Sequence, residues 1–338
     1  MADQLPLFSP PQPEPRAEND PSTVGPAAVA HDVVELARQL PRELHLGTSS
    51  WFFPGWHGLV WDRAAPEAML AREGLRAYSK HPLLRTVCID RSYYAPLERA
   101  QYEDYASQVP DRFRFVVKAP AAVTTAWTRP EGGKPVSNTA FLDPQLAIDH
   151  FIAPCSEGLG EKAGALLFQF PPLGRARLRE PARFAERLHR FLEALPRGPL
   201  YGVEVRDGGL LTRGFFTALN DAGARYCVSV HPRMPPVATQ AAAMAGFGPG
   251  PLVVRWNLNP RHDYEAAKAR YAPFDRLVDE DASTRESIAR LVLPPLAAGF
   301  DAFVIANNKA EGSAPLTLAR LAASIAAARR ARPFSGAP

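Results

Sequence analysis

The chain has 338 residues, 46% hydrophobic and 22% charged, with a formal net charge of +4. That composition excludes a chain disordered throughout, and no apolar run reaches the roughly 18 residues that a membrane helix needs. The three cysteines, Cys88, Cys155 and Cys227, are an odd number without Cys-x-x-Cys spacing, so reduced thiols in a cytoplasmic protein are expected.

Met1-Ala2-Asp3-Gln4 opens the chain without a basic stretch leading into an apolar one, so no secretory signal is expected. Residues 1 to about 30 are rich in proline and lack hydrophobic periodicity, which predicts a disordered tail. A short helix over Val33–Leu40 ends a non-barrel segment spanning 1–43. From Leu44 the chain alternates short apolar runs with longer amphipathic stretches. Predicted strands are Leu44–Ser49, Thr86–Ile89, Arg112–Lys118, Ala165–Phe170, Leu200–Val205, Arg225–Val230, Leu252–Trp256 and Ala302–Ala306. Predicted helices are Pro66–Tyr78, Leu97–Val109, Pro144–Cys155, Pro181–Leu195, Thr212–Ala222, Glu286–Ala298 and Leu316–Arg330. Residues 238–250, rich in Ala and Gly, are a candidate lid. Residues 331–338 are expected to be flexible.

Eight strands, each followed by helical or irregular sequence, predict an α/β fold: a (β/α)8 TIM-barrel-like single domain over 44–330. An open doubly wound sheet is the alternative, but it usually carries a glycine-rich phosphate turn after its first strand. Here that position reads Trp51-Phe52-Phe53-Pro54-Gly55-Trp56.

In such a barrel the strand ends converge on one mouth. Polar residues follow each apolar run: Ser49 and Trp51, then Asp90 with Tyr93, then Lys118, Gln169, Glu204 with Arg206, His231, Arg255 with Asn257, and Asn307 with Asn308. Burying such groups without purpose or partner is costly. Asp90 and Glu204 are candidate acid/base carboxylates. Lys118, Arg206 and Arg255 suit an anion, Gln169, Asn307 and Asn308 suit substrate orientation, and Trp51 and Tyr93 suit stacking on a base or sugar. No metal site is expected, since His231, Glu204 and Asp90 form the only plausible cluster and no metal-binding spacing occurs. No cofactor is expected, and Gly-x-Ser-x-Gly is absent.

Several of these segments occur together in a known family. Leu46-Gly47-Thr48-Ser49-Ser50-Trp51 with Pro54-Gly55-Trp56, and Thr86-Val87-Cys88-Ile89-Asp90-Arg91-Ser92-Tyr93-Tyr94, resemble motifs of domain-of-unknown-function family 72, the YecE-like proteins. Phe115-Val116-Val117-Lys118-Ala119-Pro120, Leu166-Leu167-Phe168-Gln169-Phe170-Pro171-Pro172, Val203-Glu204-Val205-Arg206 and Asn307-Asn308 with Gly312-Ser313-Ala314-Pro315 follow in the same order. The resemblance covers about Leu44 to Leu321 and implies a TIM-barrel-like fold without implying an activity. It also implies departures: the family usually has Glu at position 88 and Asn at 90, and Arg-Leu-His-Gly where this chain has Arg255-Trp256-Asn257-Leu258.

In the tail, Gln4-Leu5-Pro6-Leu7-Phe8 resembles the peptide by which bacterial replication and repair proteins bind the sliding clamp. Gln4, Leu5, Leu7 and Phe8 are therefore the candidate partner-binding residues. The expected function is a hydrolase or lyase acting on a phosphate- or nucleic-acid-linked substrate. A non-catalytic scaffold recruited by the tail and a carbohydrate-active barrel are the alternatives, and the candidate partners are the clamp, nucleic acid or an anionic small molecule, not a membrane.

Overall fold

The computed structural model describes residues 23–128, 133–174 and 178–331. Eight parallel strands close into a barrel: β1 (Leu44–Thr48), β2 (Leu84–Ile89), β3 (Arg114–Lys118), β4 (Ala163–Phe170), β5 (Tyr201–Val205), β6 (Arg225–Val230), β7 (Leu252–Trp256) and β8 (Ala302–Ala306). Neighbours in sequence are neighbours in space, and β1 pairs β8 to close the ring. The predicted barrel and its eight strands are thus present.

Two cores follow from strand alternation. Residues of one parity, such as Leu166, Phe168, Val203 and Val254, pack outward under the helices. The other parity fills the interior with Cys88, Val116, Ala165, Leu167, Cys227, Val253, Phe303 and Ile305. This apolar plug makes the barrel a packed core rather than a pore. All three cysteines are buried and free.

The helices depart from expectation in instructive ways. The helix starting at Pro144 runs to Leu159 and passes through a π-helical stretch at Ile148–Ile152. Pro154 follows directly and has no N–H to give the preceding turn, so the wider winding absorbs the break. The long helix begins earlier than expected, at Ala282, because Asp281 caps it by accepting from the Thr284 N–H. In the candidate lid segment, Val237–Ala243 is a helix on the crossover from β6 to β7. Its Gln240 is fully buried, accepting from the Ser229 N–H and the Tyr226 hydroxyl and donating to the Ser229 carbonyl.

Two additions were not anticipated. A two-stranded hairpin, Trp127–Thr128 with Val136–Ser137, stands between β3 and β4. After β7, a satellite core of Leu258, Ala267, Tyr271, Phe274 and Val278 surrounds the helix Tyr264–Tyr271. Ahead of β1, the helix His31–Gln39 buries Ala37, and Val24 and Ala27 are also buried. The clamp-like peptide lies outside the described residues. Among the described residues no helix is long and apolar enough to cross a membrane.

The β1–β2 pairing requires glycine at one point. A Cβ on Gly47 would overlap the Thr86 carbonyl, a backbone group with little room to retreat. Gly47→Ala should therefore destabilise the barrel by roughly 2 kcal/mol or more, read as a lowered urea midpoint; an unchanged midpoint would contradict this close approach.

Candidate functional site at the barrel mouth

Continuing the interior parity upward turns the lining from apolar to polar. Above Cys88 comes Asp90, above Val116 Lys118, above Leu167 Gln169, above Gly202 Glu204, above Cys227 Ser229, above Val253 Arg255, and above Ile305 Asn307. Most of the predicted residues thereby meet at one end of the barrel.

Glu204 is the centre of this layer and is fully buried. Its Oε1 accepts from the Ser229 hydroxyl at 2.8 Å and the Asn257 amide at 3.0 Å, and pairs with Arg206 Nη2 at 2.8 Å. Its Oε2 accepts from Arg255 Nη1 at 2.8 Å. Burial alone would raise its pKa; the Arg206 and Arg255 guanidiniums and the hydrogen bonds outweigh burial and bring it down to about 2. Glu204 is therefore ionised at neutral pH, a poor proton acceptor, and not the acid/base group expected.

Arg255 is buried and bridges the two carboxylates, with Nη2 3.5 Å from Asp90. Burial opposes its charge, but Glu204 and Asp90 more than compensate, so its pKa rises. Asp90 is about one-third exposed and also accepts from the Cys88 thiol at 3.2 Å. The Arg255 guanidinium thus links Asp90 and Glu204.

Lys118 differs from the arginines. Its side chain is buried, and among the described residues no carboxylate lies within 4.0 Å of its ammonium. The Nζ instead stands 3.7 Å from the Tyr93 ring centroid. Tyr93 therefore presents one face to Lys118 rather than to a base or sugar. Burial lowers the Lys118 pKa, partly countered by Asp90. Arg206 and Arg255 each keep a buried Nε without a hydrogen-bond partner.

Two expected positions, Asn308 and Trp51, are placed differently from the reading above. Asn308 is buried behind the mouth, where its carbonyl accepts from Trp56 Nε1 at 3.1 Å and the Ala314 N–H at 2.8 Å. It fixes the loop after β8 instead of orienting a ligand. Trp51 is packed edge-on against Phe52 and Tyr105, so its faces are used in packing. It walls a cleft of about 330 Å³ that opens beside Asp90 and is also lined by Ser49, Phe52, Cys88 and Tyr94. Asn307 does reach the mouth, donating to Ser49 Oγ at 2.7 Å. Gln169 stands beside Glu204 in register and its side chain meets no partner among the described residues.

Ser229, Asn257 and His231 were not assigned roles from sequence. Alternation in β6 through Cys227 and onward in β7 through Arg255 was the available signal, since it puts all three on the interior parity. His231 is half-buried, and its pKa falls to about 4 through burial and the Arg206 charge. Its Nδ1 accepts from the Arg233 N–H at 3.2 Å, leaving the ring proton on Nε2. Among the described residues, no group of three or more His, Cys, Asp or Glu side chains is placed to hold a metal ion.

The chain matches the family described as "Protein of unknown function DUF72" over residues 45–337. It belongs to the DUF72 family. Its fold is similar to a DUF72 protein of Thermotoga maritima, at 19% identity and TM-score 0.56, over 82% of this chain and 97% of that one. A DUF72 protein of Enterococcus faecalis is similar at 16% identity and TM-score 0.56, over 83% of this chain and 95% of that one. At these identities the likeness concerns the fold alone. No curated protein matches the chain.

The buried carboxylate makes two measurable claims. The Glu204 pKa is lowered on folding, so its stabilisation is complete above its ordinary value of 4.5 and is lost as pH falls toward about 2. That loss should approach about 3 kcal/mol, seen as unfolding free energy declining over this window and a flatter decline in Glu204→Gln. At pH 7 Glu204→Gln should cost about 3–5 kcal/mol, because two buried guanidiniums lose their counter-charge; a wild-type denaturation midpoint would refute the central role of this pair.

Proposed function

We propose that the barrel mouth of this DUF72 protein binds a phosphate-bearing ligand, with Lys118 and Arg206 receiving the anion. The observation that carries this reading is the arrangement of charge. Lys118, Arg206 and Arg255 face only two carboxylates, Asp90 and Glu204, and both carboxylates are engaged by Arg255. Among the described residues Lys118 has no counter-ion within 4.0 Å, and Arg206 retains an unpartnered buried Nε. A buried ammonium in that state is stabilised by an incoming anion, and a guanidinium held on one edge by Glu204 is already oriented for it.

In this mouth Asp90 takes the proton rather than Glu204, and His231 serves as a hydrogen-bond donor. Asp90 is reached by solvent, and neutral His231 carries its proton on Nε2. A carboxylate that accepts a proton and a neutral Nε2–H that donates a hydrogen bond fit hydrolysis or elimination at a phosphate-linked group, whose phosphate leaves as the anion held by Lys118 and Arg206. Glu204 acts through Arg206 and Arg255, as a positioning residue. The carbohydrate-active alternative is less well supported, because it needs a protonatable partner for Asp90 where the ionised Glu204 and the bridging Arg255 stand.

Titration calorimetry with inorganic phosphate and pyrophosphate tests the binding. Millimolar or tighter binding is expected, weakened about tenfold or more in Lys118→Met; equal heats for the two proteins would overturn the assignment of Lys118. With a screen of phosphate esters, Asp90→Asn should abolish any turnover found while leaving phosphate binding in place. Full turnover in that variant would remove Asp90 from the chemistry.

The Gln4-Leu5-Pro6-Leu7-Phe8 motif supports a second, compatible reading, in which the tail tethers the barrel to a sliding clamp. Removing residues 1–10 should abolish capture by immobilised clamp; undiminished capture would eliminate the motif as the contact.

A further inference from the structure

The four exposed large hydrophobic side chains among the described residues are Tyr94, Trp127, Val136 and Tyr264. All four lie on segments that leave the C-terminal ends of barrel strands. Tyr94 follows β2, Trp127 and Val136 belong to the hairpin after β3, and Tyr264 follows β7. Helical flanks and the opposite end of the barrel contribute none. Scattered surface hydrophobics need no explanation, but their confinement to the face that carries the mouth does.

Cations accompany these rings. Tyr94, 84% exposed, meets Tyr93 edge-on at 5.3 Å, and Tyr93 carries the Lys118 ammonium on its face. Tyr264, 56% exposed, has the Lys309 ammonium 4.2 Å from its ring centroid. Tyr94 and Tyr264 stand on loops that leave the same end of the barrel, and Tyr264 contributes, after burial and Asp90, to raising the Tyr94 phenol's pKa. Arg91, at the start of the turn bearing Tyr94, and Arg261, just before the helix bearing Tyr264, are both exposed. The rim thus runs from Lys118 through Tyr93 and Tyr94 to Tyr264 and Lys309, aromatic faces backed by positive charge.

We infer that this rim is a stacking platform for single-stranded nucleic acid, whose bases lie on Tyr94 and Tyr264 while a backbone phosphate enters the mouth at Lys118 and Arg206. The inference rests on the phosphate-binding reading of the mouth and names the ligand class. Exposed tyrosines alone would equally suit a neutral sugar; the ammonium groups behind the rings and the arginines beside them favour a polyanion. A duplex keeps its base faces stacked internally, so a strand with accessible bases is the form that complements the rings.

Fluorescence anisotropy with a labelled oligothymidylate of about 12 nucleotides tests it directly on the full chain. Wild type should bind, with affinity falling steeply as salt rises, and a duplex of the same length should bind more weakly. Tyr94→Ala and Tyr264→Ala should each weaken the strand by about tenfold, in line with base–aromatic stacking elsewhere. Both side chains are exposed, so the variants should keep the wild-type thermal midpoint. Inorganic phosphate titrated into the same samples reads the mouth alone and should bind wild type and both tyrosine variants equally. No strand binding by wild type, unchanged affinity in both variants, or preference for the duplex would each overturn the platform. Phosphate binding without strand binding would leave the mouth reading standing; strand binding lost with either tyrosine but no phosphate binding would sustain the platform and remove the mouth reading.

Discussion

One carboxylate organises the functional end of this barrel. Glu204 is sealed from water, and four side chains from three strands and their extensions converge on it: Arg206, Ser229, Arg255 and Asn257. A buried charge is tolerated only when its partners fill its lone pairs. That demand fixes the rotamers of both guanidiniums. Arg255 is thereby directed at Asp90 as well, and Arg206 is held edge-on toward the mouth. The polar layer above the apolar plug is built around satisfying Glu204, and among the described residues the Lys118 ammonium stands outside that network, against the Tyr93 ring.

The distinction between charges that are consumed and charges that are left over governs the functional reading. Arg255 is spent twice within the protein, on Glu204 and on Asp90. Among the described residues the Lys118 ammonium meets the Tyr93 ring and no carboxylate within 4.0 Å. Neutral His231 sits beside these groups, held neutral by its burial and the neighbouring Arg206. On the proposed reading this charge balance seats an anion, and a cleft walled by Trp51 and Phe52 opens beside Asp90.

How much of this was legible in the sequence depends on the physical signal available. The eight strands were readable because strands buried on both faces become continuous apolar runs bounded by polar residues, as in Ala165–Phe170. The residues that gather at the mouth were readable for the same reason: alternation carries Asp90, Lys118, Gln169, Glu204 and Arg255 to one side. What alternation cannot supply is the pairing. Nothing in the local sequence around Glu204 reveals that two arginines enclose it and depress its pKa, so an acid/base role was the natural first reading. Asn308 adjoins Asn307 in sequence but points away from the mouth, a difference of one residue that reverses the face. The segment between β6 and β7 was a lid candidate by its position alone; its alanines carry little helical periodicity, so the helix Val237–Ala243, anchored by the buried amide of Gln240, was not legible there.

The satellite core after β7 has a mechanical meaning for the ring. β1 and β8 are the first and last strands, so their pairing is the seam where the barrel closes. At the upper end of that seam the satellite touches both sides. Phe274 packs on Phe53 beyond β1, and a side chain on Gly55 would overlap the Pro273 carbonyl. On the other side the Asn259 N–H donates to the Lys309 carbonyl at 2.8 Å, and the Val278 N–H donates to the Glu311 carbonyl at 2.7 Å, both beyond β8. At the lower end, Arg329 of the last helix donates to the Gln39 carbonyl at the end of the first. The closure of the barrel is thus clasped above and below by segments outside its strands. The two clasps join pieces of chain nearly 300 residues apart at one end and about 220 at the other, so opening the ring at its seam requires breaking contacts that lie outside the strands themselves.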